Sequence, residues 1–249
     1  MNLFDKKICR LTFTHTDYSD LWSVYFGEMK KFFYIESNHF ICVNYNIKNY
    51  TSFIPNSTQV LLYDDKFKYS KRLRDCLNQL KNYKYVFFDH EDMFLFSTPN
   101  YKKLSKYYEL IKDEKFDSIR LIKDSHSKVS KSKYDDTLYE IANDSKWNFS
   151  IQPSIWNIEK LLEILNENLN CNPSELENKS QNVVKNMKLK IAYSHDNSKK
   201  RGKFHYDNKV YPYIATAINK GKWNTSEYSV ELEKIFNEYL INSKLRGEV

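Results

Sequence analysis

The stretch YKYVFFDHEDMFL, residues 83–95, decides how this chain is read. Tyr85 to Phe88 form a short continuous apolar run of the kind buried on both faces of a parallel sheet. Three carboxylates and a histidine follow at once, and Met93, Phe94 and Leu95 resume the apolar run. A solvated turn seldom sits between two such runs, and buried carboxylates are costly unless a cation or hydrogen-bond donors meet them. Asp89, Glu91 and Asp92 are therefore expected to line a site at a strand end. Carboxylates so placed suit Mg²⁺ or Mn²⁺, which take one or two protein oxygens and complete their shell with water and substrate phosphate.

Upstream, strand-like runs alternate with amphipathic segments. ICRLTFTH (8–15), HFICVNYNI (39–47) and QVLLYDD (59–65) read as strands. Leu21, Trp22, Tyr25, Met29, Phe32 and Phe33 fall at helical spacing, as do Tyr69, Leu73, Cys76, Leu77 and Leu80. This order predicts an open, mostly parallel α/β sheet, whose ligands gather beyond the carboxyl ends of its strands. Thr14 and His15, Asp64 and Asp65, and Asp89 to Asp92 all fall at such ends. Further on, Ser97-Thr98-Pro99 is expected to open a helix carrying Leu104, Tyr107, Tyr108 and Ile111. DSIRLIK (117–123) reads as a strand, and the serine- and lysine-rich segment 124–136 as a mobile surface loop. Helices are expected at 157–169, capped by Asn157, and at 230–242. No internal repeat or linker divides the chain, so one domain is expected over 1–249, with a nucleotide-binding half near 8–123 and an acceptor-side half near 124–249.

Composition narrows the function. The chain has 249 residues, 41% hydrophobic and 29% charged, with a mean hydropathy of −0.71, which fits a globular protein with a substantial core. A formal charge of +7 favours anionic partners without choosing among them. Only four glycines are present, dispersed at 27, 202, 221 and 247. Neither a P-loop nor a dinucleotide-binding glycine turn can be built from them, because both need clustered glycines where backbone approaches phosphate. Cys9, Cys42, Cys76 and Cys171 lie far apart with no CxxC pair, as expected of free thiols in a reducing compartment. The N-terminal segment lacks a signal-peptide pattern and no stretch is long enough to span a bilayer, so a cytoplasmic protein is expected.

A family resemblance enters on five segments, the acidic strand end first. YKYVFFDHEDMFL resembles the metal-binding strand end of GT-A glycosyltransferases that use nucleotide-diphosphate sugars, of the kind found in glycan-building clusters of bacteria and large viruses. LLYDDKFKYSKRLRDCL (61–77) is similar to the segment after the third strand of that group. FSIQPSIWNIEKLLEIL (149–165) resembles its acceptor-side segment, with Gln152, Pro153 and Trp156 matching. NPSELE (172–177) and INKGKWN (218–224) resemble its acidic and closing segments. Two departures stand out: Ser174 occupies the usual tryptophan position, and a four-residue acidic run replaces the usual Asp-x-Asp.

The resemblance implies a metal-dependent transfer of a sugar from a nucleotide donor to a glycan or other hydroxyl acceptor. On it, Asp92, Glu91 and His205 are the candidate metal ligands. Thr14, His15, Asp64, Asp65, Arg72, Asp89, Lys200 and Arg201 are candidates for the nucleotide sugar, and Gln152 and Trp156 for the acceptor. Glu175 and Glu177 are candidate general bases, although Asn172-Pro173-x-Glu175 also reads as a helix cap. Two other classes compete. A nuclease or nucleic-acid-binding protein would suit the charge, but the Glu-x-Lys such a nuclease places on its next strand is missing from DSIRLIK. An inactive relative kept as a scaffold would tolerate the altered acidic run.

Overall fold

A computed structural model describes residues 6–33, 38–45, 47, 52 and 54–249. The strands and helices alternate as the periodicity predicts: β1 (Ile8–Phe13), a 3₁₀ turn (Thr16–Leu21), α1 (Trp22–Phe32), β2 (His39–Val43), β3 (Gln59–Leu62), α2 (Tyr69–Leu77), β4 (Tyr85–His90), α3 (Tyr101–Lys112) and β5 (Ser118–Arg120). The second half adds β6 (Val129–Lys131), β7 (Leu138–Ile141), β8 (Ser154–Asn157), α4 (Ile158–Asn166), α5 (Pro173–Met187) and β9 (Ile191–Ser194). Two small hairpins follow, β10 (Lys200–Arg201) with β11 (His205–Tyr206) and β12 (Ile218–Asn219) with β13 (Lys222–Trp223). Helices α6 (Thr225–Glu238) and α7 (Ser243–Arg246) complete the described fold.

Among the described residues, nine strands form one mixed sheet in the order β3-β2-β1-β4-β8-β5-β9-β7-β6. The pairs β1–β2, β2–β3 and β1–β4 are parallel. β8 is antiparallel to both β4 and β5, so β5 runs with β4, and β9 is parallel to β5. The carboxyl ends of β1 to β5 and β9 therefore open on one edge. This is a single α/β domain with a GT-A-like sheet.

The two sheet faces are covered separately. Tyr85 and Phe87 point into a core with Trp22, Tyr25, Leu104, Tyr107 and Leu232. Val86 and Phe88 point into another with Leu73, Leu161, Leu176 and Val184. Strand alternation carries this pattern onward, so Asp89 inherits the first face and His90 the second.

Three local expectations change. α3 starts later than the Ser97-Thr98-Pro99 entry, because Asn100 is its cap and accepts from the Lys103 amide at 3.1 Å. Segment 124–136 contains β6, an edge strand whose three residues are all exposed, paired with β7. Its solvated face explains why it has no apolar period. α6 begins at Thr225, before the expected 230. Among the described residues, no helix is long and apolar enough to cross a membrane.

Candidate active site at the carboxyl edge of the sheet

The ends of β1, β2 and β3 are tied together by Asp65. Its carboxylate meets His15 Nε2 at 3.1 Å and accepts from Asn44 Nδ2 at 2.7 Å, while Arg72 donates to its carbonyl. The Asp17 amide donates to His15 Nδ1, which leaves the ring proton on Nε2, facing Asp65. Thr14 is fixed by two bonds: the Tyr63 hydroxyl donates to its carbonyl at 2.7 Å and Trp22 Nε1 to its hydroxyl at 2.9 Å. Phe13 stacks on Tyr63, and the Arg72 guanidinium lies over that ring, 5.3 Å from its centroid. Asp64 is as exposed as Asp65 but pairs only with the nearby Lys66, so of the two it is Asp65 that bonds to this edge.

The acidic run of β4 splits in two. Asp89 is fully buried on the α1 face and pairs with the equally buried Arg10. It also accepts from the Thr12 hydroxyl at 2.9 Å and the Tyr25 hydroxyl at 2.9 Å. Arg10 in turn donates to the Tyr211 hydroxyl at 3.0 Å and sits about the rings of Phe33 and Phe87. This carboxylate is consumed by the core, which removes Asp89 from the nucleotide-binding set.

Glu91 and Asp92 have no such partner: among the described residues, neither is paired with a lysine, arginine or histidine. Burial, and then the neighbouring Asp92 charge, push the Glu91 carboxyl well above its usual range. Burial likewise pushes Asp92 up to about 6, against opposing backbone hydrogen bonds and the Arg246 guanidinium. Adjacent buried carboxylates left without an ion-pair partner at a strand end are the electrostatic mark of a candidate functional site. Among the described residues no three His, Cys, Asp or Glu side chains are grouped to hold a metal ion. His205 therefore does not join Glu91 and Asp92, and the ligand set expected from the sequence loses one member.

His205 instead lines a cavity of about 240 Å³ with Arg120, Asp124, Trp147, Gln152, Glu177 and Phe204 among its walls. Arg120, at the end of β5, organises this cavity. Its guanidinium donates to the Trp147 carbonyl and the Ser150 hydroxyl, both at 3.0 Å, and pairs with Asp124. Asp124 then accepts from the amides of His126 and Ser127 at 2.7 Å each, shaping the loop after β5. Trp147 is held at φ +60, a left-handed conformation unusual for a bulky side chain. Burial pushes His205 below its ordinary pKa, and its buried Nδ1 has no hydrogen-bond partner.

α5 separates the two candidate bases. Residues two apart on a helix point to nearly opposite sides. Glu175 faces outward and completes a capping box with Asn172, with bonds of 2.8 and 2.9 Å, and bridges to Lys68. Glu177 faces the cavity and accepts from the Ile151 amide at 3.0 Å. Burial raises its pKa, outweighing that bond and the Arg120 charge. Two tyrosines lie within electrostatic range of the carboxylate pair and near the cavity. The buried Tyr69 phenol feels the charges of both Glu177 and Glu91 and bonds His90 Nε2 at 2.8 Å. Tyr213, which feels the Asp92 charge, donates to Gln152 Oε1 at 2.8 Å.

The remaining expectations divide. Gln152 lies in the cavity wall, but Trp156 does not. It sits on the central strand β8, buried against Phe149, with Nε1 donating to Ser154. Trp147, a second tryptophan that could offer a ring face, does line the cavity. Arg201 is committed to Asp207 and Glu231 at 3.0 and 2.7 Å, and Lys200 is exposed on β10, so neither forms a phosphate clamp with the carboxylate pair. Arg120 and Phe204 had no signal in the sequence beyond their residue types. An arginine inside the apolar strand-like run SIRLI is the nearest thing to one.

Comparison with solved structures agrees on architecture. S. aureus TarS 1–349, a GT-A glycosyltransferase, matches over 96% of this chain and 66% of its own, at 14% identity and a TM-score of 0.50. The same TarS fragment in complex with UDP matches over the same shares at 15% identity and 0.47. A CMP:2-keto-3-deoxy-manno-octonic acid synthetase with CTP matches over 75% of this chain and 88% of its own, at 8% identity and 0.48. The first of these establishes a shared GT-A-like fold. The chain spans just under two thirds of TarS 1–349 and 40% of the longer TarS chain. No protein-family model and no curated protein matches the sequence.

Proposed function

We propose that this protein is a glycosyltransferase that moves a sugar from a nucleotide-diphosphate donor onto a hydroxyl acceptor. The observation that carries this reading is the buried Glu91–Asp92 pair, without an ion-pair partner among the described residues, set at the shared carboxyl edge with Tyr69 and Tyr213 in electrostatic range of it and the cavity that holds Glu177 nearby. The donor set fits Mn²⁺ or Mg²⁺, since two hard carboxylate oxygens leave room for substrate phosphate. When bound there, such an ion supplies charge neutralisation to the departing nucleoside diphosphate.

The chain's own residues account for the rest. Thr14, His15, Asp65 and Arg72 form a pre-organised polar rim beside the Tyr63 ring for the nucleoside side of the donor. Glu177 is the base: it takes the proton of the acceptor hydroxyl as that oxygen attacks the anomeric carbon, and its burial makes it a stronger base than an exposed glutamate. Trp147 and Phe204 offer ring faces and Gln152 an amide to orient the acceptor in the cavity. Four free, buried cysteines support a cytoplasmic setting for this activity.

The test is a panel of UDP-, GDP- and CDP-sugars with Mn²⁺, reading calorimetric binding and the released product. Release of nucleoside diphosphate supports sugar transfer. Release of a sugar 1-phosphate, left when the phosphoanhydride rather than the anomeric bond breaks, would instead mark a nucleotidyl transfer on the same fold, and an absence of binding to every donor would overturn the reading.

A further inference from the structure

A cation from a distant part of the chain is tied, through a run of backbone bonds, to the segment that holds the carboxylate pair. The Asp92 carbonyl accepts from the Ala217 amide at 3.3 Å, and the Ala217 carbonyl from the Asn224 amide at 2.8 Å. β13, adjacent to Asn224, is pinned by the strap 243–249: the Trp223 amide donates to the Gly247 carbonyl and the Val249 amide to the Trp223 carbonyl, both at 2.9 Å. Gly247 makes this possible with φ +82 and ψ 169, a region essentially restricted to glycine. The chain turns there, immediately after Arg246.

The turn sets Arg246 at the edge. Its guanidinium donates to Asp20 from Nε at 3.0 Å and from the second terminal nitrogen, and to the Gly221 carbonyl at 3.3 Å. It lies over the Tyr18 ring, 5.2 Å from the centroid. The pair is lopsided: the Arg246 side chain is 15% exposed, Asp20 54%. Exposed ion pairs contribute little and exchange readily. A guanidinium fork matches the oxygens of a phosphate better than it matches a hydrated carboxylate.

We propose that Arg246 is a diphosphate-binding residue, delivered by the strap 243–249, whose guanidinium exchanges Asp20 for phosphoryl oxygens of the donor beside Glu91 and Asp92. The inference rests on the transferase reading and adds to it a phosphate ligand from a segment remote in sequence from the strand ends. Tyr18, which lies under the Arg246 guanidinium, is within electrostatic range of both acids.

The full chain is titrated by calorimetry with Mn²⁺, using UDP, GDP and CDP and the matching monophosphates. With Arg246→Met, the diphosphate that the wild-type protein binds loses about tenfold in affinity, whereas its monophosphate is bound as before. Arg246→Lys, which keeps the charge but not the fork, shows a smaller loss and stands in if the methionine variant fails to fold. Asp20→Asn binds the diphosphate at least as tightly as wild type. Wild-type affinity in both Arg246 variants overturns the inference alone. So does a loss in Asp20→Asn as large as in Arg246→Met, because Arg246 would then act only by anchoring the strap. Failure of the wild-type protein to bind any of the three diphosphates overturns the transferase reading and the inference together.

Discussion

Asp89 and the Glu91–Asp92 pair leave the same strand within four residues, yet they solve opposite electrostatic problems. Asp89 is buried with a cation of its own and with hydroxyl donors on either side. Glu91 is only 7% exposed and, among the described residues, forms no ion pair. The first arrangement is complete without a ligand, and the second is not. Proximity in sequence to an acidic run therefore says little about role; what separates structure from function here is whether the protein itself supplies the counter-charge. Glu175 and Glu177 repeat the lesson on α5, one satisfied by a cap and a lysine, the other desolvated in a cavity wall.

The hardest blow to this comparison is struck at Asp89. Asp89→Ala leaves the Arg10 charge buried and unpaired, a loss of about 3–5 kcal/mol out of a total of roughly 5–15 kcal/mol for a domain. Urea unfolding should show that loss, and Arg10→Met with Asp89→Leu should recover most of it, since an apolar pair restores a neutral core. An Asp89→Ala protein that folds with wild-type stability but binds no donor would reverse the assignment, making Asp89 a ligand.

The two glutamates of α5 provide a test of similar size in a different observable. Glu177→Gln should lower kcat by about 10²–10⁴ while the protein stays folded. Because burial raises the Glu177 pKa, the acid limb of the rate profile should lie above the 4.5 of an ordinary glutamate, with turnover falling as the pH drops through it. Glu175→Ala should leave kcat unchanged and lower stability only slightly, through the lost half of the capping box. If Glu175→Ala were the inactive variant, the base would be misplaced by half a helical turn.

Much of this architecture is legible in the residues. Apolar runs ending in polar clusters give the parallel strands and their functional edge, and Asn172-Pro173-x-Glu175 announces its cap. Strand alternation even tells that Asp89 follows Tyr85 and Phe87 into one face, and Arg10 in the apolar run of β1 hints at the partner awaiting it. What cannot be read is which distant groups meet. Arg10 is 79 residues from Asp89, and Asp20 is 226 from Arg246. The cavity depends on a left-handed Trp147 that no local glycine or turn signal foretells. Trp156 misleads in the opposite sense, because its motif suggests a cleft while its strand lies at the centre of the sheet.

The smallest expected effect is also the most discriminating. A carboxyl whose pKa is raised by folding binds its proton more tightly in the folded state, so its charge opposes folding at neutral pH. In chelator, Asp92→Asn should therefore be more stable than wild type by about 1–2 kcal/mol, or roughly 2–8 °C in a chain of this length. The advantage should be full above the raised value of about 6 and vanish as the pH falls towards 3.8, where the wild-type carboxyl is protonated in both states. Adding Mn²⁺ should invert the order, because only the wild-type pair gains from a cation that binds the folded state. Asp135, whose carboxyl is held far below its usual range by Lys103 and Lys106 despite burial, is the control of opposite sign: there Asp135→Asn should destabilise at neutral pH, metal or none. Should Asp92→Asn behave like Asp135→Asn, the protein already compensates the pair internally, and the distinction between the two halves of the acidic run disappears.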